Sequence, residues 1–177
     1  AEFWNGRSDL GREHLRQVAA DWAREPGEVY EWQEAETRRN RGSTAYAGAA
    51  STMAEAIIGG LFGVEVSSSG FTITPRLGDQ SGGIHVYQPP SGCWVDYWQT
   101  YAGDQVAIEW DTNHSKNGRI RVLLPDNVVV ASALVDGKSV TLETEILGAD
   151  VYAVLAQPAL PGKHRLELRL TAASPAE

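Results

Sequence analysis

The sequence is short of several residue types, and each shortage closes off a kind of chemistry. Its single cysteine, Cys93, has no partner for an internal disulfide. The four histidines, His14, His85, His114 and His164, are scattered with no H-x-x-x-H or C-x-x-C spacing, so no metal site and no cofactor is expected. G-x-S-x-G is absent, which leaves Ser-His-Asp hydrolysis without support. Positive charge is scarce too. The formal net charge of −8 argues against nucleic acid or an anionic membrane as partner, since both want a basic face. The longest uninterrupted apolar stretch, "AIIGGLFGV" (56–64), is far too short to span a bilayer. No basic segment followed by an apolar one opens the chain, so no targeting segment is visible and the compartment stays open. An initiator methionine is also missing, and a piece of a longer protein is expected.

What is present is a soluble globular composition, 42% hydrophobic and 21% charged over 177 residues. That length holds one sizeable core, or one domain plus part of another. "DTNHSKNG" (111–118) alternates oxygen-bearing residues like a calcium loop. Its glycine falls at the eighth position instead of the sixth, and no glutamate stands at the twelfth, so a polar hairpin loop is the better reading. Asn113-His114-Ser115 is formally a glycosylation sequon, a pattern common by chance.

Two periods divide the chain. Residues 1–66 read as helical. Ser8 or Asp9 caps a first helix in which Leu15, Val18, Ala19 and Trp22 share a face, and Pro26-Gly27 ends it. A second helix is expected from about Thr44 to Leu61, with Tyr46, Ala50, Met53, Ile57 and Leu61 on one stripe and small residues elsewhere. A helix apolar or small all round needs several neighbours, and only one other helix is available. From residue 67 onward the period is two. Strands are predicted at 71–75, 83–88, 94–101, 105–110, 118–125, 128–135, 138–144, 150–156 and 163–170, separated by turn pairs such as Asn117-Gly118 and Asp136-Gly137. The expectation is a mainly β fold, an antiparallel β-sandwich (67–177) behind two or so helices, with "SSSG" (67–70) at the boundary.

"YAGAASTMAEAIIGGLFGV" (46–64), "FTITPRLG" (71–78) and the run from "GRIRVLLPDNVVV" (118–130) to "LPGKHRLELRL" (160–170) resemble the C-terminal end of glycoside hydrolases built on an (α/α)6 barrel, the α-L-rhamnosidase-like enzymes and their relatives. The resemblance covers nearly the whole chain in order and layout, though no phrase in it is a catalytic signature. It implies that residues 1–66 are the last helices of a twelve-helix toroid and that the sandwich closes the chain. The expected partners are therefore a carbohydrate and the remainder of the barrel, on an upstream segment or a separate chain. "STAYAG" (43–48) departs from the rhamnosidase-like phrase, which usually carries an Asp-His pair there.

Inverting glycosidases use two carboxyl groups, one to protonate the leaving oxygen and one to activate water. Tyr30-Glu31-Trp32 offers a carboxylate between rings that can stack on a sugar. The resemblance implies a catalytic Glu in a loop shortly before the final helix, beside an aromatic residue. Glu31 matches that placement as general base, with Glu28 and Glu34 as alternates. It also implies that Trp4 and Asn5, in "EFWNGR" (2–7), lie near the sugar-binding mouth with Tyr30 and Trp32. From the residues alone, Glu28, Glu31, Glu34 and Glu36 could pair with Arg38, Arg39 and Arg41 on a solvated loop, and Trp4-Asn5-Gly6 could be a simple turn. The general acid is expected on a segment this chain lacks, so the isolated chain is expected to be inactive.

For the sandwich the first expectation is a structural accessory role; the alternative is a carbohydrate-binding module. Alternation puts Trp94 and Trp98 on one face of a strand and Tyr97 and Tyr101 on the other. One face must be core, and the sequence leaves open which. Asp96 is expected in a hydrogen bond to a tyrosine or at a strand edge.

Overall fold

A computed structural model describes residues 1–24, 27–158 and 161–173. A 3-10 turn at Glu2–Asn5 leads into α1 (Ser8–Trp22). A short hairpin, β1 (Trp32–Gln33) and β2 (Asn40–Arg41), precedes α2 (Ala47–Glu55). α2 widens into a π-helical turn at Ala56–Leu61, where the Phe62 N–H donates to the Ile57 carbonyl at 2.8 Å. Pro26, expected to stop the first helix, lies outside the described residues, and α1 ends at Trp22.

Eleven strands follow: β3 (Val64–Ser67), β4 (Gly70–Ile73), β5 (Gly82–Gln88), β6 (Cys93–Ala102), β7 (Gln105–Thr112), β8 (Asn117–Leu124), β9 (Val128–Val135), β10 (Lys138–Ser139), β11 (Glu143–Leu147), β12 (Asp150–Leu155) and β13 (Gly162–Ala172). They form a six-stranded sheet in the order β10-β9-β13-β7-β6-β5 and a five-stranded sheet in the order β11-β12-β8-β4-β3. The fold is the expected sandwich. Its core interleaves the inward residues of both sheets, among them Ile73, Val95, Ile108, Trp110, Ile120, Val122, Leu166 and Leu168. Strict alternation selects them: in β13 Leu166, Leu168 and Leu170 are buried while Arg165 and Arg169 are exposed.

Four local expectations change. β3 begins at Val64, ahead of the 66/67 division, and Ser68-Ser69 is the hairpin turn that pairs β3 with β4. Residues 138–144 are not one strand: β10 pairs with β9 in one sheet and β11 with β12 in the other, so the segment crosses between layers. "DTNHSKNG" is likewise no hairpin, because β7 and β8 lie in different sheets. In that crossover the buried His114 bonds the Ser67 carbonyl, and Asn113 links the Trp94 N–H to the Gly92 carbonyl. β4 runs parallel to β8, the one parallel pair among the described residues. The three strands between them belong to the other sheet, so no tight hairpin dictates antiparallel pairing.

The helical arm is bolted to the sandwich at its base. α1 is not capped by Ser8 or Asp9; Ser8 is its first residue. The buried carboxylate of Asp150, in β12, takes over, accepting the Ser8 N–H at 3.1 Å and the Ser8 hydroxyl at 2.5 Å. The Tyr152 hydroxyl donates to Asp150 at 2.9 Å and accepts from Arg76 at 3.1 Å, and Arg76 in turn donates to the Gly60 carbonyl at 2.8 Å. Alongside, Gly6 sits at φ 64 and its carbonyl accepts the Ala149 N–H at 2.8 Å. A Cβ at Gly6 would fall 1.6 Å from the Leu147 carbonyl oxygen, so only glycine permits this approach. Above the base the arm is bare. α2 has no buried residue, and Leu10, Val18 and Ile58 are exposed.

Candidate functional site

The segment from Val29 to Tyr46, without periodicity in the sequence, is a closed arm. Its backbone pairs Tyr46 with Val29, Glu31 with Ser43, and Glu34 with Arg39, around the register Trp32–Arg41 and Gln33–Asn40. Asp21, near the end of α1, fastens the arm. Its buried carboxylate pairs with Arg24 at 3.1 Å and accepts a hydrogen bond from Arg38 across seventeen residues. That hydrogen bond, helped by the charges of both arginines and opposed by desolvation, holds the Asp21 carboxyl below its ordinary range.

Between the arm, α1, α2 and the 3-10 turn lies a groove of about 600 Å³. Trp4, Tyr30, Glu31 and Trp32, four of the residues singled out from the sequence, line it together. Trp22 and Tyr46 complete an aromatic wall, and His14 and Asp21 contribute polar groups from α1. The remaining sequence candidates stand elsewhere. Asn5 does not line the groove; its amide donates to the Ala1 carbonyl at 2.9 Å. Glu28 is exposed and outside the groove, and Glu34 pairs with Arg41 at 3.6 Å and accepts from Thr37.

Three carboxylates line the groove, and two are neutralised. Glu2 pairs with Arg7 at 2.7 Å and Asp21 with Arg24 and Arg38. Glu31 stands in no ion pair among the described residues; its Oε2 accepts the Ser43 N–H at 3.4 Å. The expected cluster of glutamates with Arg38, Arg39 and Arg41 is therefore limited to Glu34–Arg41, because Arg38 is spent on Asp21. Chemically the groove presents one accessible carboxylate among ring faces, suited to accepting a proton from water or a sugar hydroxyl. Asp21 was not anticipated. Its signal was position alone: it follows His14 and Val18 at helical spacing, on the row that faces the groove. Among the described residues no cluster of His, Cys, Asp or Glu could hold a metal ion, and no helix is long and apolar enough to cross a membrane.

The two-sheet sandwich with its helical arm is similar in fold to part of a solved glycoside hydrolase. Among solved structures it is similar to an α-L-rhamnosidase from Dictyoglumus thermophilum, with 14% identity, 73% of this chain and 15% of that chain covered, and a TM-score of 0.55. A GH127 β-L-arabinofuranosidase from Geobacillus stearothermophilus T6 aligns over 82% of this chain and 23% of its own at 14% identity, with a TM-score of 0.45. The chain spans less than a quarter of either protein's length, and the likeness to the rhamnosidase is one of fold. No protein-family model matches the chain, and no curated protein matches it in sequence.

Proposed function

We propose that this chain is the C-terminal portion of a glycoside hydrolase acting on glycosidic bonds of oligo- or polysaccharides. In this reading α1 and α2 are the last helices of an (α/α)6 barrel of the α-L-rhamnosidase-like kind, and the sandwich is a structural accessory domain. The observation that carries it is the bare apolar side of the arm. Leu10, Val18 and Ile58 are exposed, and Leu15, Met53, Ile57 and Leu61 are only half-buried along a hollow of about 910 Å³ between the helices and the sandwich. Aliphatic surface of this kind, on helices with so little burial, is what missing barrel helices would cover.

Glu31 is then the general base. It takes a proton from a water that attacks the anomeric carbon, while Trp4, Tyr30 and Trp32 hold the sugar against their faces. The acid that protonates the leaving oxygen comes from the rest of the barrel. In the complete protein Glu31→Gln lowers kcat by about 100-fold to 10,000-fold, the range for a positioned acid or base. Glu34→Gln and Glu28→Gln leave it nearly unchanged. The isolated chain hydrolyses none of a panel of aryl glycosides; robust turnover by it alone overturns the reading.

A further inference from the structure

The outer face of the six-stranded sheet carries large rings that solvation alone does not explain. Trp98 is 53% exposed and Tyr87 54%, with Trp94 half-buried beside them, while Tyr97 on the opposite face is buried in the core. Register sets His85 opposite Asp96, Tyr87 opposite Trp94 and Gly83 opposite Trp98, so all of these share the outward side. β7 adds Asp111 beside Asp96 and Glu109 beside Trp98, and β13 adds Lys163 and Arg165 beyond them. A hollow of about 590 Å³ runs over this surface.

The two indoles are fixed in place without being covered. A Cβ on Gly83 would stand 2.1 Å from the Tyr97 carbonyl oxygen and 2.8 Å from Cε3 of Trp98, so the bare glycine lets both the β6 backbone and that ring lie against β5. The Trp94 ring stacks on His85, with centroids 5.6 Å apart and planes 28° from parallel. The charges around them are largely matched within the surface: Glu109 pairs with Arg165, Arg165 with Glu167 at 3.0 Å, and Asp96 stands 3.5 Å from His85.

Pairing decides the ligand class. An anion meets Asp96, Glu109, Asp111 and Asp136, and a cation meets Lys163 and Arg165 with three of those four carboxylates already partnered inside the surface. The buried centre of a protein interface is depleted of charged residues, and this surface is not. A neutral pyranose chain needs what is here: ring faces for its C–H surface, carboxylate acceptors for its hydroxyl protons and guanidinium donors for its oxygens. We propose that the outer sheet face is a second carbohydrate site, binding a neutral oligosaccharide along Trp94 and Trp98, with Asp96, Glu109 and Arg165 as its polar contacts. It shares no residue with the Glu31 groove, does not rest on the catalytic reading, and gives the sandwich a ligand in addition to its structural role.

The test is a glycan array of neutral gluco-, xylo-, manno-, galacto- and rhamno-oligosaccharides, with retained sugars titrated by calorimetry. At least one should bind and quench tryptophan emission. Trp98→Ala, at an exposed position, should weaken it about tenfold, the upper end for one ring contact. Asp96→Asn should weaken it less, and Ile146→Ser, at an exposed position on the five-stranded sheet, not at all. Retention of no neutral glycan, or binding indifferent to both Trp98→Ala and Trp94→Ala, overturns the proposal. So does a dimer in sedimentation that Trp98→Ala converts to monomer, because the face then belongs to a second copy. Loss of turnover in Glu31→Gln bears on the groove and leaves this result untouched.

Discussion

The helical arm and the sandwich were built to different completeness. In the sandwich, apolar residues at every second position meet a second sheet, and residues such as Ile73, Ile108 and Ile120 lose all contact with water. In the arm, apolar residues recur equally regularly, yet Val18 stays exposed and Trp22 only half-buried. What is buried in α1 is Ser8, Gly11 and Asp21, small or polar groups held by hydrogen bonds and close approach. Periodicity states which face wants covering; it does not supply the cover.

Four perturbations sharpen that contrast. The largest is Ile120→Ala in the sandwich, expected to cost about 2–5 kcal/mol in chemical denaturation, as for other buried aliphatic truncations. Next is Asp150→Ala at the joint. It strands the Ser8 N–H and the Tyr152 hydroxyl, and should cost about 1–3 kcal/mol while speeding hydrogen exchange in α1 more than in β8. Uniform acceleration would mean that arm and sandwich unfold as one unit, and the contrast would fail. A third lever is pH. The Asp21 carboxyl is lowered in the folded arm, so closure is fully supported above the ordinary aspartate value of about 4. It is lost as pH falls through the lowered value. Emission from Trp22 and Trp32 should report that acid transition, and Asp21→Asn should abolish it; an unchanged transition would remove Asp21 from the fastening. The smallest effect is Val18→Ser on the bare face, within about 0.5 kcal/mol in the isolated chain. With the proposed barrel helices present the same change should cost clearly more, and equal costs would deny that anything covers α1.

Legibility followed the same divide. The strands of the sandwich were readable because alternation is a two-residue rule, and "HRLELRL" declares its own inward face. The arm Val29–Tyr46 was not, since its hairpin depends on Asp21 reaching Arg38 and on backbone pairs that leave no periodic trace. Tyr30, Glu31 and Trp32 stood out by chemistry, and Trp4 by the family resemblance. That they line one groove with Trp22 and Tyr46 is a property of how α1, the arm and α2 converge. Glu31 and Glu34 looked equivalent in sequence; pairing with Arg41 and a turn position separates them.

By itself the sequence determined the two periods, the sandwich, the apolar stripes of both helices and the shortage of metal ligands. All of these are carried by residues near one another along the chain. Tertiary structure alone decided that the Trp94–Trp98 side of β6 faces outward and the Tyr97 side inward, because alternation defines two faces and only a second sheet can choose between them. It alone also joined Ser8 to Asp150 across 142 residues, a contact that exists only once the chain has closed.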